Sequence, residues 1–275
     1  MAVAGMAISE LFYLALLLLA AKMADVRQYN LAAFVAVGLA AFAPGSIYFQ
    51  VIFPCSMGVF FLSLTYYFLL KERFWACGIS AFFAVIAHSI GFILISVLCI
   101  WLAFEWCYRR KLLVKHVFAL IAPPIAGVGL WFLYDFLATG HWNALFMVQG
   151  KYGHGLNSPL KMLGLHIDNL MKTGFSMELW VEIQNLLITA FVLLAVVVGI
   201  RKRHSTEHRL HGIWMAFFWL FPLSVSMQVS LHRNCSNLLP GWLVFSGIRM
   251  RTALLLLFIL MWWPLAVLFF QSRII

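Results

Sequence analysis

The sequence has 275 residues, of which 64% are hydrophobic and only 10% are charged. Soluble domains carry about a quarter charged residues, so this composition excludes an ordinary soluble protein. The apolar surplus fits a bilayer, where each spanning helix needs about 20 such residues and where strands without a closed barrel leave backbone groups unsatisfied. We therefore predict an all-α, polytopic transmembrane bundle of about 8–10 spanning or half-spanning helices, forming a single domain over residues 1–275.

The net charge of +10 could suggest a nucleic-acid partner. The basic residues, however, sit mostly in short links between apolar segments, where positive charge sets membrane topology. We therefore predict the lipid bilayer as a partner and no nucleic acid. The five cysteines show no CxxC or Cys/His spacing, so neither a metal site nor a cofactor is predicted.

Before the middle of the chain, the predicted spans cover residues 9–24, 31–44, 57–70 and 116–139. Pro44 and Pro54 bound a break between the second and third spans. Residues 74–106 are too long for one untilted span, and the polar sequence at 88–91 predicts two short helices that meet at a break. Prolines 123 and 124 predict a kink in the last of these spans.

Residues 140–177 interrupt the pattern of spans, and we predict an extracytoplasmic loop there with one interfacial helix. Ser158-Pro159 is a typical helix start. The charged residues lie off the apolar stripe of that helix, which favours a position along the membrane surface. The stripe consists of Leu160, Leu163, Ile167, Leu170 and Met171, and the charges are Lys161, Asp168 and Lys172.

After the loop, spans are predicted at 178–200 and 212–229, followed by a short apolar helix at 238–248 and a last span that ends at 270. Alternating crossings place 14 of the 19 Lys and Arg residues on one face, which is therefore expected to be cytoplasmic. We expect a multi-pass integral membrane protein of the bacterial inner membrane, with the endoplasmic reticulum membrane as the alternative. The other face holds Lys151, Lys161, Lys172, Arg233 and Arg273.

This topology brings several polar residues to the extracytoplasmic end. Arg suits a lipid phosphate through its bidentate fork, and Lys offers a point charge. Tyr and His side chains suit a sugar. The alternatives are that Arg233 and Lys151 only anchor loops at the headgroups, and that His88 caps backbone groups at the break. The converging residues are His88, Gln149, Lys151, Tyr152, His154, His232 and Arg233.

The order of several short motifs resembles the multi-spanning GT-C glycosyltransferases that use lipid-phosphate sugars. The most similar family is the second mannosyltransferase of glycosylphosphatidylinositol-anchor synthesis, with its bacterial relatives. The motifs are Phe42-Ala43-Pro44-Gly45-Ser46, Phe53-Pro54-Cys55-Ser56, Ile86-Ala87-His88-Ser89-Ile90-Gly91, the loop opening from Gly140 to Gln149 with Lys151-Tyr152, and Arg233 with Pro240.

The resemblance implies a mannosyltransferase-like enzyme that takes a polyprenyl- or dolichyl-phosphate sugar on the extracytoplasmic face. Arg233 and Lys151 would lie near the phosphate, with Gln149 and His88 near the sugar. The family's Tyr-Ser/Thr-Glu-Ser is replaced by Phe53-Pro54-Cys55-Ser56, and its Asp-bearing loop would precede this chain. No catalytic residue is therefore assigned, and a partner chain that supplies the missing part is one expectation. The alternative function is an inactive subunit or pseudoenzyme that binds the lipid-linked sugar.

Overall fold

The computed structural model describes residues 2–23, 31–51, 54–109, 114–151, 155–174, 177–202, 205–225, 231–245 and 248–271. Every secondary-structure element in these ranges is a helix. The first six α-helices are α1 (Ala2–Met23), α2 (Leu31–Ala41), α3 (Cys55–Leu70), α4 (Phe74–Ala87), α5 (Phe92–Arg109) and α6 (Val114–Thr139). The others are α7 (Ala144–Lys151), α8 (Pro159–Lys172), α9 (Met177–Arg201), α10 (Thr206–Val225), α11 (Leu231–Asn234), α12 (Leu239–Phe245) and α13 (Ile248–Phe270).

Five helices (α1, α5, α6, α9 and α13) are long and apolar enough to cross a membrane. Two further apolar helices, α3 and α4, are shorter. Three short 3-10 turns, Ser46–Gln50, Ser89–Gly91 and Cys235–Leu238, interrupt the bundle. The prediction of an all-α polytopic bundle is confirmed, and the chain is a multi-pass membrane protein.

One end of the bundle collects the charged links. The ammonium groups of Lys22 and Lys71 lie 5.5 and 5.9 Å from the centre of the Tyr67 ring, so α1 and α3 end together. The Arg209 guanidinium near the start of α10 donates to the Glu105 carboxylate near the end of α5, and both side chains are buried. These contacts bring together the ends of α1 and α3, and the end of α5 with the start of α10, as the predicted alternation of crossings requires.

The opposite end holds the break between α4 and α5. The Phe132 ring on α6 lies 6.4 Å from the ring of Phe92, the first residue of α5. It also lies 6.3 Å from the Phe146 ring on α7. The backbone N–H of Asn157, before α8, donates to the Ser224 carbonyl near the end of α10 at 2.6 Å. The helices of the central loop therefore lie at the same end as this break.

The centre of the bundle is packed by large side chains of α3 and α10. Tyr66, Trp214 and Trp219 are fully buried, and the rings of Tyr66 and Trp214 meet edge to face with centroids 4.9 Å apart. The indole N–H of Trp219 donates to the Thr189 hydroxyl of α9 at 2.8 Å. These contacts join α3, α9 and α10 into the frame that carries the polar end.

Several predicted boundaries are corrected. The second span ends at Ala41, before Pro44, because the chain turns there into the 3-10 turn Ser46–Gln50. The link predicted at 201–211 is shorter, because α10 begins at Thr206. Arg209 therefore lies within α10, where it is buried and pairs with Glu105. Pro159 begins α8 as predicted, but the Ser158 side chain makes no capping hydrogen bond. Arg249 and Arg251 lie within the first turn of α13 rather than before it.

Candidate functional site

A small cavity lies where α3 begins and α4 ends. It has room for roughly one water molecule. Its described lining offers imidazole, amide, hydroxyl and thiol groups, with neither a carboxylate nor a basic side chain among them. The lining residues are Cys55, Gly58, Val59, His88, Asn234, Ser236 and Asn237.

His88 sits at the break between α4 and α5 with an extended backbone. Its Nδ1 accepts a hydrogen bond from the backbone N–H of Ile90 at 3.2 Å, so the neutral ring carries its proton on Nε2. Of the two interpretations that the sequence left open for His88, the structure shows the backbone cap. The residue also lines the cavity, and its contact with a ligand stays a prediction.

Two glycines allow the close approach of helices around His88. A Cβ on Gly58 would lie 3.1 Å from the His88 Cβ, so a side chain there would press on His88 and narrow the cavity. A Cβ on Gly91 would lie 2.6 Å from the Ala84 carbonyl oxygen, because the chain turns back tightly after α4. The geometry of the break therefore depends on backbone that carries no side chain at these two positions.

The other wall of the cavity is the segment of α11 and the 3-10 turn Cys235–Leu238. The Asn237 backbone carbonyl accepts from the Trp214 indole N–H at 2.9 Å, and the Asn237 side-chain amide donates to the side-chain amide oxygen of Asn234 at 3.4 Å. The Gln184 amide of α9 contacts the Cys235 sulfur at 3.6 Å. Irregular backbone at membrane depth is tolerated only where protein groups satisfy it, and Trp214 of α10 supplies such a group here.

The lengths of α3 and α4 set the depth of the cavity. They have 16 and 14 residues, which correspond to about 24 and 21 Å of helix. Helix α3 ends at the charged link of residues 71–73 and α4 begins after it, and the hydrocarbon core is about 30 Å thick. With that link at one membrane surface and both helices upright, their cavity ends would fall roughly 6 to 9 Å short of the opposite boundary of the core. In this placement the cavity would be recessed within the bilayer.

The structure places the predicted site residues in two groups. His88 lines the cavity, and Arg233 lies on α11 directly before the lining residue Asn234. Gln149 and Lys151 lie instead on α7, which packs on α6 at the same end of the bundle. The Lys151 side chain is exposed. The predicted residues Tyr152 and His154 lie outside the described residues.

A partly buried polar pair lies near this end. The Glu182 carboxylate, in the second turn of α9, lies 2.6 Å from His166 Nδ1 on α8. The Asn169 amide donates to the same carboxylate at 3.4 Å. The Glu182 side chain therefore points into the seam between α8 and α9. The only sequence signal was the i, i+3 spacing of His166 and Asn169 beside an apolar stripe.

The cavity residues Asn234, Ser236 and Asn237 were also missed as site residues. In the sequence they form part of a polar run between two apolar segments, which predicted a break but not its contacts. Comparisons of the chain with protein-family models, with curated proteins and with solved structures find no match.

Proposed function

We propose that this chain is a membrane glycosyltransferase, mannosyltransferase-like, that takes a polyprenyl- or dolichyl-phosphate sugar at the cavity end of the bundle. The observation that carries the proposal is a cavity at the ends of two apolar helices, with His88, Asn234 and Asn237 in its lining. Polar groups beside apolar helices suit an amphiphile that arrives laterally from the bilayer better than a sugar dissolved in water.

The chemistry of the lining supports a neutral, hydroxyl-rich group. His88, Asn234 and Asn237 offer donors and acceptors that match sugar hydroxyls. Arg233, next to this lining, is the residue that the sequence predicts for the phosphate. A hexose is much larger than one water molecule, so binding requires α11 to move away from α3.

Transfer to an acceptor would proceed without a cofactor. The acceptor oxygen attacks the anomeric carbon, the bond from that carbon to the phosphate oxygen breaks, and the phosphate keeps the electron pair. A base removes the proton of the attacking hydroxyl. The described lining of the cavity contains no carboxylate for that role. This observation favours a second candidate, a non-catalytic subunit that binds the lipid-linked sugar.

Binding is tested with the purified chain in nanodiscs and fluorescent lipid-phosphate mannose, glucose and galactose. Arg233→Ala removes a charged hydrogen-bond partner and should weaken binding about 10- to 150-fold. Arg201→Ala, an exposed arginine at the opposite end, should leave binding unchanged. Binding that is absent for all three lipids in the wild-type chain would refute both candidate functions.

A second pair of variants tests the cavity itself. Gly58→Ala places a methyl group against His88 and should weaken binding, whereas Gly129→Ala meets nothing within 4 Å on α6 and should not. Both variants exchange the same residue types within a helix, so general effects on helix stability are matched. An assay for lipid phosphate release and for sugar transfer to a mannoside acceptor then distinguishes an enzyme from a non-catalytic binding subunit. Equal binding of the lipid-phosphate sugar by the two glycine variants would show that it binds outside the cavity.

A further inference from the structure

Helix α8 presents three different sides. Leu160, Ile167 and Met171 are separated by seven and four residues, so they share one stripe. Their exposed fractions are 79%, 43% and 81%, although all three side chains are apolar. Such an exposed apolar stripe outside the spanning helices needs a covering partner.

A charged stripe runs beside the apolar one. Lys161, Asp168 and Lys172 each follow directly after one of the three apolar residues, and each is exposed. One residue turns an α-helix by about 100°, so the charged stripe lies about 100° around the helix from the apolar stripe. A helix with this arrangement matches a boundary between hydrocarbon and water.

The third side holds α8 in place. Met162 and His166 are buried, and the pair between His166 and Glu182 joins this side to α9. The hydrogen bond from Asn157 to Ser224 fixes the chain just before α8. The apolar and charged stripes are therefore held at fixed positions relative to the ends of α9 and α10.

Other apolar side chains near this end of the bundle are exposed as well. Phe146 and Met147 of α7 and Leu156 before α8 are also exposed. This surface lies at the ends of helices that cross the membrane, so lipid is the adjacent medium. Because lysines are two of the three charges beside it, anionic headgroups complement the surface better than neutral ones.

We propose that α8 is an anionic-lipid-binding platform, with Leu160, Ile167 and Met171 among the acyl chains and Lys161 and Lys172 at the lipid phosphates. The partner is the bilayer leaflet at the cavity end of the bundle. The inference is independent of the lipid-linked sugar.

Depth is measured with spin labels in a background in which the exposed Cys99 and Cys107 are replaced by Ser. Cys55, Cys77 and Cys235 are buried and stay in place. Labels are attached at Ile167→Cys or Asp168→Cys, in vesicles of phosphatidylcholine with or without phosphatidylglycerol. The label at position 167 should collide mainly with oxygen, and the label at position 168 mainly with a water-soluble nickel chelate.

Two other outcomes would overturn the platform. Equal exposure of both labels to the nickel chelate would mean that α8 stands in water. Shielding of the position-167 label from oxygen and from nickel would mean that another protein surface covers it. Because each label replaces an exposed side chain, the fold should be retained.

The lipid preference is tested with the position-167 label and the double variant Lys161→Gln/Lys172→Gln. Two lysines near an anionic surface contribute about 1 kcal/mol each, which corresponds to roughly a 30-fold preference for phosphatidylglycerol. In the double variant, phosphatidylglycerol should no longer change the depth of the label. Arg201→Gln/Lys202→Gln, at the opposite end, should keep it. A preference that persists without the two α8 lysines would refute the anionic part of the proposal.

Discussion

The buried pair between Glu105 and Arg209 offers a direct test of the helix arrangement, because it joins residues that are 104 positions apart. The relative exposure of each side chain is only 4%. Replacing Arg209 by Met removes the guanidinium that donates to the buried Glu105 carboxylate. Removal of one partner from a buried pair typically reduces the free energy of unfolding by about 3–5 kcal/mol.

The double variant Glu105→Leu/Arg209→Met separates this pair from ordinary packing. Replacement of both partners by apolar residues of similar size removes both charges, so we expect a stability near that of the wild type. The two single variants should each lose about 3–5 kcal/mol, and the double-mutant cycle should show a large favourable coupling. Unfolding in mixed micelles with increasing dodecyl sulfate, followed by tryptophan fluorescence, measures these differences.

Arg201→Met is the matched control, since Arg201 is exposed at the same end of the bundle. We expect it to change the free energy of unfolding by no more than about 0.5 kcal/mol. An Arg209→Met variant as stable as Arg201→Met, or a double variant less stable than both single variants, would contradict this arrangement of helices.

Two further predictions concern packing and the attachment of α8. Gly78→Ala should lower the thermal stability in detergent, because its Cβ would lie 1.9 Å from a carbonyl oxygen of α6, whereas Gly129→Ala meets open space and should be neutral or stabilising. Equal melting temperatures for the two variants would contradict the close packing of α4 on α6. Glu182→Leu removes the acceptor of His166 and should raise amide hydrogen exchange in α8 about 5- to 150-fold, while Glu182→Gln keeps an acceptor and should raise it less. Unchanged exchange in the leucine variant would show that the pair does not hold α8.

The sequence predicted the features that depend on local hydropathy and on backbone chemistry. The break at 88–91 followed from polar and glycine residues within an apolar run, and the start of α8 followed from Ser158-Pro159. The ends of α1 and α3 meet, and so do the end of α5 and the start of α10, as the predicted alternation of crossings requires.

The contacts that define the site depend on tertiary packing and could not be read from the sequence. Gln184 and Cys235 are 51 residues apart, and no local pattern pairs them. Arg209 was assigned to a link because arginine is unfavourable in a span, but the partner on α5 makes its burial possible. The 3-10 turn that carries Ser236 and Asn237 was predicted only as a polar break.

The geometry of α9 bears on whether the chain can catalyse sugar transfer by itself. Glu182 contacts α8, whereas Gln184, two residues later, contacts the segment beside the cavity. Two residues turn a helix by about 200°, so these side chains leave α9 on nearly opposite sides. The pair between His166 and Glu182 is thus separated from the cavity by α9 and is badly placed to accept a proton from an acceptor bound there.

The other described carboxylates near the cavity end have different positions. Asp135 accepts a hydrogen bond from the backbone N–H of Leu145 at the start of α7, and Asp168 is exposed on α8. Neither residue lines the cavity. If the isolated chain transfers sugar, its base is the His88 imidazole of the cavity lining, a residue beyond those described or a group of the substrates. If it binds the donor without transfer, a second chain that supplies a carboxylate to the cavity should restore activity, and Gly58→Ala should then reduce donor binding and restored transfer in parallel.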